Sequence, residues 1–125
     1  MGLFNLIARI VSKGSNMSGQ RPVIEDVSLN ELKSGLTDGS ILLVDVREPN
    51  EFHAGHIPGA VLNALSAFNP SALPQVEGKR VVLSCRSGNR SKTALHMAQA
   101  AGRTDVRAHF TGGIMEWVQA GQPVE

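Results

Sequence analysis

The stretch Ile41-Leu42-Leu43-Val44-Asp45-Val46 limits how this chain can fold more than any other. Its apolar residues run on without alternating, which suits a strand covered on both faces and not one with a wet face. The run has the length of a strand rather than of a helix. Val81-Val82-Leu83-Ser84 is a second run of the same kind. Segments with helical spacing and glycine stops lie between and after the two. Strands alternating with helices predict an α/β domain with a largely parallel sheet and helices on both faces. In such a sheet the active site lies beyond the carboxyl ends of the strands. Asp45 and Arg47 stand at the end of the first run, and Cys85 at the end of the second.

The remaining elements follow from caps and turns. Val23-Ile24-Glu25-Asp26 is a short strand candidate. Ser28 and Glu31 form a capping box, opening a helix that Gly35 or Gly39 can end. Pro49-Asn50-Glu51-Phe52-His53 suits a short helix with proline in its first turn. After the turn Gly55-His56-Ile57-Pro58-Gly59-Ala60 comes a short apolar stretch, Ala60-Val61-Leu62, then a loop with one helical turn near residues 71–73. The longest helix is expected over residues 90–101, with Ala94, Leu95, Ala98 and Ala101 on its apolar side and Gly102 as its stop. Asp105-Val106-Arg107-Ala108-His109-Phe110 is a last strand. Gly112-Gly113 then turns into a helix where Ile114, Trp117 and Val118 share a face, with Trp117 in the core.

The chain fits one domain, expected over residues 22–121 with a tail at 122–125. Before it, Leu3, Leu6, Ile7, Ile10 and Val11 fall at helical spacing, and residues 12–21 form a Gly/Ser-rich linker. The apolar segment falls far short of the roughly 20 residues that span a bilayer. It has no basic start or small-residue cleavage pattern, and Leu6 stands where a myristoylation signal needs Ser or Thr. A helix docking on the domain or on a protein partner is expected. Weak peripheral membrane attachment through residues 1–11 is the alternative, with Arg9 and Lys13 as its thin basic complement.

With 12 Lys plus Arg against 11 Asp plus Glu, and no Tyr, nothing draws the chain towards nucleic acid. A single cysteine excludes an internal disulfide, and with four scattered histidines it forms no metal-ligand cluster. No metal or organic cofactor is expected. A reducing, cytoplasmic compartment suits a lone reactive thiol.

That thiol opens the segment Cys85-Arg86-Ser87-Gly88-Asn89-Arg90-Ser91, which joins the second strand to the longest helix. Backbone N–H groups at such a turn can converge on one point and stabilise negative charge. Arg86 and Arg90 add positive charge, so a thiolate there is favoured. The plainer alternative is a small buried hydrophobe, the commonest state of a free cysteine.

The motif beginning Asp45-Val46-Arg47-Glu48-Pro49 and ending with Phe52, the segment from Gly55 to Ala60 followed by Asn63, the Cys85 loop, and Gly112-Gly113 with Trp117 together resemble a single-domain rhodanese. The resemblance runs from about Val23 to Val118. It implies a sheet of about five mostly parallel strands, and Cys85 as the nucleophile that carries a sulfane sulfur as a persulfide. It implies that the amides of Arg86, Ser87, Gly88, Asn89, Arg90 and Ser91 cradle that sulfur, that Arg86 and Arg90 favour anionic donors, and that Asp45 and Arg47 organise the floor and rim. The donor would be thiosulfate or a persulfide, and the acceptor cyanide, a thiol or a sulfur-relay protein. Four residues separate Cys85 from Arg90; the cysteine phosphatases related to this fold have one more, so the shorter ring implies sulfur rather than phosphate or arsenate chemistry. A dedicated persulfide carrier and a noncatalytic binding module stay open as alternatives. His56 is expected to pin its turn by bonding to backbone. His53, His96 and His109 are expected at the surface or as satisfied partners.

Overall fold

The structure, a computed structural model, describes residues 21–125. The apolar helix candidate at residues 3–11 and the linker up to residue 20 lie outside the described residues. In chain order the elements are β1 (Glu25–Val27), α1 (Leu29–Asp38), β2 (Ile41–Asp45), α2 (Pro49–Ala54), β3 (Val61–Leu62), β4 (Arg80–Ser84), α3 (Asn89–Ala100), β5 (Ala108–Phe110) and α4 (Gly113–Gln119). The sheet has the order β1-β5-β4-β2-β3, and every pairing in it is parallel.

The two unbroken apolar runs become the neighbours β2 and β4, and their side chains divide between two layers. Ile41, Leu43 and Val82 join Leu32, Phe110 and Trp117 in a core beneath α1 and α4. Val44, Val81 and Leu83 join Ala94, Leu95 and Ala98 in a second core beneath α3. Each strand is therefore apolar on both faces, as its sequence required. The small residues of α3 let its axis come close to β4 and β5.

Both parts of the expected capping box form: Ser28 Oγ accepts the Glu31 N–H at 3.1 Å, and Glu31 Oε1 accepts the Ser28 N–H at 2.9 Å. Helix α1 ends at Gly39. Gly35 lies inside α1, where its lack of a side chain makes room for Ile41, whose Cβ is only 3.0 Å from where a Cβ on residue 35 would sit. At the end of α3 the Gly102 N–H reaches the Gln99 carbonyl at 3.0 Å and the Arg103 N–H reaches that of Ala98 at 2.9 Å, closing the helix with a paired turn. The Arg103 guanidinium then donates to the carbonyls of Pro70, Leu73 and Pro74, fastening the long connection between β3 and β4. That connection carries short 3₁₀ turns at Leu65–Ala67 and Pro70–Ala72.

Three sequence expectations shift. The first strand lies two residues later than Val23 suggested, because pairing with β5 begins at Glu25; Val23 and Ile24 are exposed and Val27 reaches the core. The last strand loses residues 105–107: Arg103 pairs with Asp105, and the Val106 N–H turns back to the Arg103 carbonyl. Val118 is 53 % exposed and does not join Trp117 in the core. Residues 122–125 are tied down. Trp117 Nε1 donates to the Pro123 carbonyl at 2.7 Å, and the backbones of Glu125 and His56 exchange both hydrogen bonds.

Candidate active site

Cys85 is the first residue beyond the central strand β4, and it is 1 % exposed. The chain turns immediately, and Gly88, at φ +98°, points its N–H at Sγ from 3.1 Å. Ser91 Oγ, from the first turn of α3, lies 3.6 Å from the same sulfur. Burial pushes the thiol pKa up. The Ser91 hydroxyl and the N–H groups of Ser91, Gly88 and Ser87 pull it down and prevail, leaving it below its ordinary value of 9.0. The buried-hydrophobe alternative is thus half right. Cys85 is buried, but its sulfur faces hydrogen-bond donors.

The loop shows donors to the sulfur because its carbonyls are held elsewhere. The N–H of Ile114 donates to the Cys85 carbonyl at 2.9 Å, and that of Met115 to the Arg86 carbonyl at 3.1 Å. The first turn of α4 thereby uses its otherwise unpaired amides to orient the loop. This approach needs Gly113, which is buried at φ +64°: a Cβ there would overlap the Arg86 carbonyl and lie 2.7 Å from the Cys85 oxygen.

Charge around the loop is divided. Arg90 is paired with Glu51 through two bonds, at 2.7 and 3.0 Å. That guanidinium, together with the Glu48 N–H, outweighs the opposing effect of burial and holds the Glu51 carboxyl at about 2, against an ordinary 4.5. Arg86, Ser87 and Asn89 are exposed, and Arg86 makes no ion pair among the described residues. Asp45 and Arg47 are both buried and bind each other, Nη2 to Oδ2 at 2.8 Å, while the same Nη2 donates to the Gly55 carbonyl. The pair clips the end of β2 to the turn after α2. Arg47, Glu51 and Arg86 line an open cleft of about 560 Å³ together with the apolar side chains of Met115, Val118 and Val124.

His56 stacks on Phe52 at 3.8 Å between ring centres and bonds through Nδ1 to the Phe52 carbonyl, in keeping with its expected role in the turn. His53 and His96 are exposed. His109 is different. It is 1 % exposed, with Nδ1 2.7 Å from Ser91 Oγ and Nε2 3.2 Å from Asp26 Oδ1. Neither Asp26 nor Glu51 stood out in the sequence. The available signal was a histidine set between Ala108 and Phe110 near the end of the last strand candidate. Among the described residues no group of three or more His, Cys, Asp or Glu is placed to hold a metal ion, and no helix is long and apolar enough to cross a membrane.

Comparison with known proteins bears on the family and the fold. The family model described as Rhodanese-like domain matches residues 28–120. The chain is 50 % identical over 84 residues to an uncharacterized protein of Synechocystis, covering 67 % of this chain and 46 % of that one. It is 34 % identical over 107 residues to the thiosulfate:glutathione sulfurtransferase of Homo sapiens, covering 74 % and 92 % of the two chains. It thus spans under half of the first relative and nearly all of the second. The solved structure of a human single-domain sulfurtransferase superposes with a TM-score of 0.63 at 32 % identity, covering 80 % of this chain and 97 % of that one.

Proposed function

The chain belongs to the rhodanese-like domain family, and on that footing we propose that it is a sulfurtransferase working through a Cys85 persulfide. One observation carries the reading. The only sulfur nucleophile in the chain lies at the bottom of a loop whose N–H groups, the nearest at 3.1 Å, face it from the start of a helix.

The proposed reaction has two nucleophilic steps. The Cys85 thiolate attacks the outer sulfur of thiosulfate or another sulfane donor. The sulfur–sulfur bond of the donor breaks, and sulfite leaves with the bonding pair. The terminal persulfide sulfur carries the negative charge, and the amides of Ser87, Gly88 and Ser91, which face Cys85 Sγ, set a favourable field beside it. A thiolate or cyanide then attacks that outer sulfur, and Cys85 departs as a thiolate. Neither step consumes a proton, a metal or an organic cofactor.

Arg86, exposed at the mouth, draws anionic donors. Arg90 acts less directly than its position in the sequence implied, because Glu51 compensates its charge. Asp45 and Arg47 serve as the floor, fixing the turn that carries the rim. The donor and the acceptor are small sulfur compounds or a sulfur-relay protein, and the apolar side chains that line the cleft with Arg86 favour an acceptor with some apolar surface. A reducing, cytoplasmic setting keeps a lone nucleophilic thiol usable.

Mass spectrometry after treatment with thiosulfate or a persulfide donor should show one added sulfur, about 32 Da, on Cys85. Cys85→Ser should carry none. A wild-type protein that loads with no sulfane donor would end the sulfurtransferase reading.

A further inference from the structure

The cycle just described uses Cys85 as a thiolate, yet the resting thiol must lose a proton in a site almost closed to water. A chain of polar groups leads from it to the surface. Cys85 Sγ is 3.6 Å from Ser91 Oγ, Ser91 Oγ 2.7 Å from His109 Nδ1, and His109 Nε2 3.2 Å from Asp26 Oδ1. The Asp26 side chain is 71 % exposed, and the Thr111 hydroxyl steadies it by donating to Oδ1 at 2.9 Å. The sheet builds this chain. Asp26 and His109 are direct partners in the parallel register of β1 and β5, and alternation along β5 turns His109 away from the side of Ala108 and Phe110.

Proton counting gives the chain two states. Ser91 has one hydroxyl proton, and three groups can take it: the Cys85 sulfur, His109 Nδ1 and the Gly88 carbonyl at 3.2 Å. With His109 neutral and Nε2–H directed to Asp26, Nδ1 accepts the Ser91 proton. The Ser91 lone pairs then face Cys85, an arrangement that suits a thiol. With His109 doubly protonated, Nδ1–H donates to Ser91 Oγ. The Ser91 proton turns to the sulfur, an arrangement that suits a thiolate.

We propose that His109 is a positioning residue for the nucleophile: through the Ser91 hydroxyl it takes up the Cys85 proton and returns it, with Asp26 holding the imidazolium. In the forward step the S–H bond breaks and its electron pair stays on sulfur. Ser91 Oγ receives that proton as its own passes to Nδ1, so charge is conserved and no other reactant is needed. Burial disfavours a lone His109 imidazolium more than Asp26 favours it, and Lys92 on α3 adds to the disfavour. The imidazolium therefore persists only while the thiolate is its counterpart, so the two titrate together. Arg90 also acts on the Cys85 sulfur through its charge.

The proposal rests on Cys85 being the nucleophile, but its test needs no sulfur donor. With one thiol and no tyrosine in the chain, ultraviolet thiolate absorbance against pH reports Cys85 directly. Ser91→Ala and His109→Gln should each move the midpoint up, with thiolate at a fixed pH below it falling about tenfold, the worth of a hydrogen bond to a charged group. The double variant should match Ser91→Ala alone. Asp26→Asn, at an exposed side chain that folding tolerates, should shift the curve in the same direction by less. A His109→Gln titration superimposable on wild type, an additive double variant, or an unmoved Asp26→Asn curve would each overturn the relay. A flat result leaves persulfide loading untouched, and absent loading leaves the titration readable.

Discussion

Replacing Gly113 by alanine tests how the sulfur site is held open. At φ +64° an alanine pays the left-handed penalty of about 1–2 kcal/mol. Its Cβ also needs space now held by the Arg86 carbonyl and lies 2.7 Å from the Cys85 oxygen, and both are backbone atoms that cannot swing aside. The first turn of α4 must retreat, weakening the bonds from Ile114 to Cys85 and from Met115 to Arg86, each worth about 1 kcal/mol. A stiffer unfolded chain returns roughly 0.5 kcal/mol. The expected loss is therefore about 3 kcal/mol, a large part of the roughly 5–15 kcal/mol that holds a domain together. Urea unfolding followed through buried Trp117, the single tryptophan, measures it. Gly121→Ala is the control: its φ is +76°, but no atom lies within 4 Å of the added methyl, so it carries only the conformational cost. Released from α4, the loop carbonyls should turn inward and sulfur loading of Cys85 should fall even in buffer where the variant is folded. If Gly113→Ala unfolds like Gly121→Ala and loads normally, close approach of α4 does not set the loop.

Arg47→Ala leaves the Asp45 carboxylate buried without its partner and should cost about 3–5 kcal/mol in urea unfolding; a loss under 1 kcal/mol would remove the pair's structural role. The Glu51 carboxyl is depressed from 4.5 to about 2 in the folded chain, so its stabilising effect is complete above pH 4.5 and fades as pH falls towards 2. The stability gap between wild type and Glu51→Gln should accordingly be constant from neutral pH to about 4.5 and close below it, and a gap that widens with acid would contradict the assignment. Arg86→Ala should lower kcat/KM for an anionic donor several-fold more than for a neutral persulfide, and the difference should shrink with added salt. Equal losses on both donors would place Arg86 outside donor capture.

The setting of Cys85 was legible in the sequence because its parts are neighbours: strand, turn, cysteine and helix start lie within one segment. The two central strands were legible because burial on both faces leaves an unbroken apolar run. What escaped was whatever depends on pairing between distant segments. Asp26 meets His109 only because β5 lies between β1 and β4, an order that alternation along single strands does not specify. Glu51 reaches Arg90 across the carboxyl end of the sheet, and its acidity there is unremarkable in a string of letters. The late start of β1 has the same origin: Val23 is apolar, but the register with β5 begins at Glu25.

The central place of β4 has a kinetic consequence. Its neighbours on either side must separate before its amides exchange with solvent, so β4 and β2 should be the slowest-exchanging segments of the sheet, and the edges at Glu25–Val27 and Val61–Leu62 the fastest. Cys85 is thus anchored beside the strand expected to open least often. Asp26 belongs to the margin that opens most readily, where a proton can be traded with water without loosening the strand that holds the sulfur.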